Sequence, residues 1–176
     1  MATIKSRCQQ YSVYPPSFEQ GLTWLQQNAA EASNLDSILT LAKNSPLKAL
    51  SMMEQDIHVQ YMQFCQDMND LAQGKVHWNE VLTKWKNWQL DYVLQWFYEL
   101  VLDVQKSQGG VHNLVLKELA GQSQQVAQRA NYGQVSQFQG KLLKAQGAQR
   151  SQANPNATLL IESLLIDWLK LLRQSS

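Results

Sequence analysis

The apolar residues of this 176-residue chain recur every three to four positions over most of its length, which is the spacing of a buried helix face. The clearest stripe runs from Ile57 to Gly74, and similar segments follow from Trp78 to Trp85 and from Trp88 to about Lys106. A last helix is expected after Asn154 and up to about Arg173, where apolar positions nearly surround the axis. The spacing therefore predicts an all-α fold, with the last helix as a central, well-buried element.

Three shorter helices are predicted before this long helical part. Ser17 and Gln20 have the spacing of a capping box at the start of the first, and the second should begin after Asn34. Ser45 can cap the third, where Pro46 takes the first helical position without losing a needed hydrogen bond. Helices this short are not stable alone, so we expect them to pack together as a small bundle.

The spacing is less regular in the middle of the long helical part. Gly109-Gly110 should end the preceding helix, Val111 to Ala120 is a weaker helical candidate, and Gly121 to Asn131 has no clear assignment. Tyr132 to about Ala148 is predicted to be helical although it contains three glycines, each of which costs ~1 kcal/mol relative to alanine.

Composition narrows the class of protein. Hydrophobic residues make up 44% of the chain, and six tryptophans can fill an interior. The net charge of +1 argues against a strong non-specific hold on nucleic acid or on an anionic membrane. Two lone cysteines, Cys8 and Cys65, imply neither a disulfide framework nor a metal site.

The sequence also indicates in which compartment of the cell the protein is expected. No apolar run approaches the ~18 residues that cross a membrane, and the N-terminus lacks the apolar core of a signal peptide. We therefore expect a cytoplasmic protein that does not enter a membrane.

The first residues differ from the rest of the chain. Thr3 to Val13 favours an extended strand, Pro15-Pro16 cannot continue a ladder, and Ser17 starts the first helix. Within this segment Ser6-Arg7-Cys8 would place an arginine where a loop can present it. Taken alone, Arg7 is more often an ordinary surface charge than a functional one.

Three segments carry a resemblance to a known family. They are Thr3-Ile4-Lys5-Ser6-Arg7-Cys8 with Pro15-Pro16-Ser17 and Trp24-Leu25 behind it, Leu39 to Leu50 with its Ser45-Pro46 turn, and Asn154-Pro155-Asn156 before the apolar run that ends at Trp168. Together they resemble the delta-prime subunits of the bacterial DNA polymerase III clamp loader, which belong to the AAA+ proteins. The resemblance is expected to cover only the later half of such a protein, since no nucleotide-binding core precedes the first residue.

The resemblance implies three parts and a function. Residues 1–14 would be the tail of the AAA+ domain, 15–55 a three-helix lid bundle, and 56–176 a helical collar that assembles with the gamma/tau and delta subunits. Arg7 would be an arginine finger, supported by Ser6 and Cys8, for ATP held by a neighbouring subunit. The complex would load the sliding clamp onto primed DNA, so this chain would meet DNA only indirectly and would carry no cofactor or metal of its own.

Other candidate sites are weaker. His58, His77 and His112 lack metal-ligand spacing. The tryptophans lie at helical spacing among leucines, which favours a role as core and interface anchors over base stacking. No phosphate loop or catalytic triad order is present, so catalysis by this chain alone is not expected. Two alternatives stay open: a free-standing all-α interaction adaptor unrelated to replication, whose surface would be the helices rich in its roughly 25 glutamines, and, with less support, a helical enzyme.

Overall fold

The computed structural model describes Arg7 and residues 11–12, 14–29, 35–151 and 156–173. All regular structure in these residues is helical, and none of them lies in a strand. The all-α prediction is therefore confirmed. The chain forms two compact units, one that ends at Val59 and one that begins at Gln60. Their identification as lid and collar stays a prediction.

The first unit contains three short helices: α1 (Phe18–Asn28), α2 (Leu35–Leu41) and α3 (Pro46–Glu54). Each packs against the other two. The predicted capping box is present, because the Ser17 hydroxyl accepts the Gln20 N–H while the Gln20 side chain accepts the Ser17 N–H. Pro46 takes the first helical position after Ser45, also as predicted.

Two local features let these helices approach closely. A Cβ added to Gly21 of α1 would lie 3.2 Å from side-chain atoms of both Leu39 and Pro46, so only glycine fits without a shift. Between α2 and α3, Lys43 and Asn44 take left-handed conformations with φ of 56° and 60°, which turns the chain within a few residues. The buried apolar side chains of this unit before α4 are Leu25, Ile38, Leu39, Ala42, Ala49 and Met52.

The second unit is built from longer helices. They are α4 (Ile57–Ala72, which starts in the first unit), α5 (Trp78–Trp85), α6 (Leu90–Gln108), a short 3-10 turn (Lys117–Leu119), α7 (Ala120–Arg129), α8 (Tyr132–Arg150) and α9 (Ala157–Arg173). Helix α6 packs against α7 and α8, while α9 packs against α5, α7 and α8. The sequence located α4, α5, α6, α8 and α9 to within a few residues.

The core of the second unit is a cluster of aromatic rings centred on Phe97 of α6. Its ring centroid lies 5.4 Å from that of Phe64, 6.1 Å from that of Phe138 and 6.5 Å from that of Trp168. Trp85 joins the cluster with its ring 5.0 Å from Phe64. Such ring pairs add stability beyond the area they bury. They connect α4, α5, α6, α8 and α9 into one core.

The weaker helical prediction for Val111 to Ala120 is wrong for its first six residues. Residues 111–116 form no helix, and only the 3-10 turn and the start of α7 follow. The buried carboxylate of Asp103 accepts the backbone N–H groups of Val115 at 2.8 Å and Leu116 at 2.7 Å. Since those donors are satisfied by a side chain, the segment does not need helical bonds.

The segment from Gly121 to Asn131, for which the sequence indicated no clear structure, is helical up to Arg129. The predicted strand over Thr3 to Val13 falls mostly outside the described residues. Tyr11 and Ser12, which are described, belong to no helix or strand. Asn131 caps α8 by accepting the N–H of Gln134.

Candidate protein-interaction surface

Arg7 is the residue to which the sequence assigned chemistry. It lies in a turn and is exposed. Its supporting neighbours Ser6 and Cys8 lie outside the described residues. An exposed guanidinium has the chemistry of a phosphate ligand, but its role stays a prediction.

Helix α9 packs against three helices of the second unit, α5, α7 and α8. Its buried apolar residues are Ile161, Leu164, Leu165, Trp168, Leu169, Leu171 and Leu172. Trp168 is 1% exposed, and its indole N–H donates to Oε1 of Gln122 at 3.2 Å. The Gln122 side chain in turn donates to Oδ1 of Asn69 at 3.0 Å. This chain of side-chain bonds joins α9 to α7 and α4, so the predicted burial of the last helix holds for this face.

The opposite face of α9 is open. Leu159 is 62% exposed, Ile166 is half-buried, and Lys170 and Arg173 are exposed at the end of the helix. Asp167, on the same helix, binds two ammonium groups, that of Lys141 on α8 and that of Lys170 at 3.0 Å. Burial by itself would raise the pKa of Asp167, but the hydrogen bonds and charges of the two lysines outweigh burial and lower that pKa.

Three surface grooves run along this open face. One of about 380 Å³ is lined by Trp78, Ile166, Leu169, Lys170 and Arg173. A second of about 260 Å³ lies between α8 and α9, and a third of about 510 Å³ reaches Leu159. Lys170 lines all three. Apolar side chains rimmed by cations are typical of surfaces that bind other proteins.

Several buried acidic groups serve the fold. Asp67 is 1% exposed and accepts the Trp85 indole N–H at 2.9 Å and the Lys84 ammonium at 2.6 Å, which ties α5 to α4. Asp103 likewise ties the 111–116 segment to α6, because it accepts the backbone N–H of Leu116. Sequence reasoning missed both, although each is an acidic residue inside an otherwise apolar stripe, and that is the signal that could have found them.

The thiol of Cys65 is buried in the same unit. Burial is the main reason that its pKa is raised to about 12, and the charge of Glu118 raises it further, while a hydrogen bond with Tyr61 opposes the shift. At neutral pH the thiol is therefore protonated and a poor nucleophile. Its role is to fill the core.

The remaining candidates from the sequence are the tryptophans and the histidines. Trp85, Trp96 and Trp168 are fully buried, which agrees with the predicted core role. Within the described parts of the chain, no three His, Cys, Asp or Glu side chains lie close enough together to hold a metal ion. The helices in those parts are all too short or too polar to cross a bilayer.

Comparison with known proteins assigns the family. Residues 55–170, well over half of the chain, match the family described as DNA polymerase III, delta subunit, C terminal. The chain is 26% identical to DNA polymerase III subunit delta' of Pseudomonas aeruginosa over 175 residues, which is 97% of this chain and 53% of that protein. It is 24% identical to the Escherichia coli protein of the same name, over 94% of this chain and 50% of that protein.

The chain thus spans about half the length of the curated relatives it matches. The family match covers α4 to most of α9, which is nearly the whole of the second unit. The resemblance inferred from the sequence is confirmed. The chain belongs to the family formed by the C-terminal region of the DNA polymerase III delta subunit.

Proposed function

We propose that this chain is part of a clamp-loader subunit of the delta-prime type and acts in DNA replication without catalysing a reaction by itself. The observation that carries the proposal is the family match over residues 55–170, which nearly coincides with the second compact unit. Two relatives named DNA polymerase III subunit delta' support it along almost the whole chain.

The second unit would be the collar, through which the chain assembles with the gamma/tau and delta subunits. A rigid core suits this role, because a surface that keeps its shape loses less entropy when it binds. The aromatic cluster around Phe97 and the buried bonds of Trp168 make such a core. Exposed Leu143 and Leu159 offer apolar contacts on α8 and α9.

Arg7 would act in trans on ATP held by a neighbouring subunit. Phosphoryl transfer spreads negative charge over the oxygens of the transferred group, and a planar guanidinium can bind two of them at once. Its exposed position in a turn suits a residue that reaches another chain. DNA and the sliding clamp would be engaged by the assembled complex.

Co-purification tests the assembly role. A tagged version of this chain is expressed with the gamma/tau and delta subunits of the same bacterium, and the complex is sized by light scattering. We expect a stoichiometric complex that persists through size exclusion. As a matched control, residues 7–59 alone should not retain the partners. If the tagged chain stays monomeric in the presence of both subunits, the result would contradict the proposal and favour an adaptor for other proteins.

A further inference from the structure

The groove lined by Trp78, Ile166, Leu169, Lys170 and Arg173, called here the Trp78 groove, lies between the start of α5 and the end of α9. Its wall is apolar, formed by the half-buried Trp78 at the start of α5 and by Ile166 and Leu169 of α9. Its volume of about 380 Å³ is enough for one large apolar side chain. The five lining residues include tryptophan and arginine, two of the types that dominate binding energy at interfaces.

The charges around the Trp78 groove are unbalanced. Lys170 and Arg173 line it, whereas none of the acidic side chains that the structure describes does. The carboxylate of Asp167, also on α9, is shared between Lys170 and Lys141. Glu80 on α5 accepts the backbone N–H of His77, and Glu162 lines a different groove. Of the two cations that line the groove, Lys170 thus shares Asp167 with Lys141, and Arg173 forms no ion pair with an acidic side chain that the structure describes. The lining therefore carries an excess of positive charge.

From this complementarity we propose that the Trp78 groove binds a short acidic segment of a partner protein that carries one large apolar side chain. The apolar side chain packs on Trp78 and Ile166, and flanking carboxylates bind Arg173 and Lys170. Arginine can bind a carboxylate with two parallel hydrogen bonds, so Arg173 is the main anchor for charge. The inference does not depend on the clamp-loader role, because it uses only the shape and charge of this surface.

A labelled peptide tests the proposal with the whole 176-residue chain. The probe is fluorescein-Gly-Glu-Glu-Phe-Glu-Glu-Gly, and binding is followed by fluorescence anisotropy. Two matched peptides replace the phenylalanine by serine or all four glutamates by lysine. We expect saturable binding of the probe, a loss of at least about tenfold in affinity for either matched peptide, and a further loss on raising the salt, because exposed charges are screened.

Variants locate the binding. Arg173→Gln should weaken the probe by at least about fivefold, and Trp78→Ala by about tenfold or more. Lys144→Gln removes the same charge from an exposed position on α8 that does not line the groove, and it should leave the affinity unchanged. Arg173→Glu should reverse the preference, so that the lysine peptide binds better than the probe. This charge swap remains informative if Trp78→Ala does not fold.

Three results would overturn the proposal. One is the absence of saturable binding up to about 1 mM chain, which is the weakest affinity a specific site is expected to show here. Another is an equal loss for Arg173→Gln and Lys144→Gln, which would mean general charge attraction. The third is equal binding of the serine and phenylalanine peptides, since the apolar wall would then have no part in recognition.

Discussion

The carboxylate of Asp103, on the last turns of α6, accepts the backbone N–H of Leu116 at 2.7 Å and that of Val115 at 2.8 Å, and it binds the Lys106 ammonium at 3.1 Å. Asp103 is completely buried. One side chain therefore holds residues 115 and 116 of the segment that follows α6. The bond to Lys106 neutralises the carboxylate, and the two N–H groups satisfy its oxygens.

Replacing Asp103 should destabilise the second unit strongly. Asp103→Ala leaves the buried N–H of Leu116 without its acceptor, and it also removes an acceptor of the Val115 N–H and of the partly exposed Lys106 ammonium. We therefore expect a loss of about 2–3 kcal/mol in the free energy of unfolding. Urea denaturation followed by circular dichroism measures it. Asp91→Ala, an exposed residue at the start of the same helix, is the control and should cost no more than about 1 kcal/mol. Equal costs for the two variants would contradict the role of Asp103.

Two substitutions of Trp168 should show how much its buried ring contributes to stability. Trp168→Ala removes a fully buried ring and should cost about 3–5 kcal/mol, while Trp168→Phe keeps a smaller ring and loses part of the buried volume and the bond to Gln122. We expect the phenylalanine variant to lose less than half as much as the alanine variant in urea denaturation. Leu159→Ala, on the exposed side of α9, should change stability by less than about 0.5 kcal/mol.

Replacing two glycines by alanine should change the stability of the chain in opposite directions. Gly140 lies inside α8, and a Cβ added there would meet no atom within 4 Å, so Gly140→Ala should stabilise by about 0.5–1 kcal/mol. Gly110 also has open space, but its φ is +75°, and Gly110→Ala should destabilise by about 1 kcal/mol or more. Thermal unfolding compares both with the parent chain. A destabilising Gly140→Ala would indicate that the face of α8 is not free.

Asp167 should add a pH dependence to stability. Its pKa is lower in the folded chain than its ordinary value of 3.8, so its contribution is complete above that value and is lost as the pH falls through the lower, folded pKa. Urea midpoints of the parent chain and of Asp167→Asn should therefore differ most near pH 7 and converge as the pH falls through the lowered, folded pKa. A difference that grows in acid would mean that the lysines do not hold the carboxylate ionised.

Arg7 should matter for ATP hydrolysis and not for assembly, if the proposed finger role is right. In a clamp loader assembled with this chain, Arg7→Ala should slow single-turnover hydrolysis at one interface by ~10³-fold or more. Arg7→Lys should restore little, because an ammonium keeps the charge without the two-pronged geometry. The stoichiometry of the complex, measured alongside, should not change. Wild-type hydrolysis at that site with Arg7→Ala would leave only the collar role.

Whether the sequence predicted a segment correctly depended on how far along the chain the bonding partners of that segment lie. The capping box of Ser17 and Gln20 and the start at Ser45-Pro46 involve residues at most three positions apart, and the sequence predicted both. The apolar stripes of α4 to α6 and of α9 were also predicted from the sequence, because burial of one helix face imposes the helical period. The family resemblance added the proposed role of Arg7, which no local pattern could have assigned.

The sequence by itself determined where the long helices lie, because helix periodicity and caps are local. Only the tertiary structure decided the 111–116 segment, whose N–H groups bind Asp103, and the buried bond between Trp168 and Gln122. It also made the Trp78 groove, which needs the start of α5 beside the end of α9. Such features combine groups far apart in the chain. Bonds between such distant groups leave no periodic pattern in the sequence, since each bond depends on which partner the packing places within reach of the side chain.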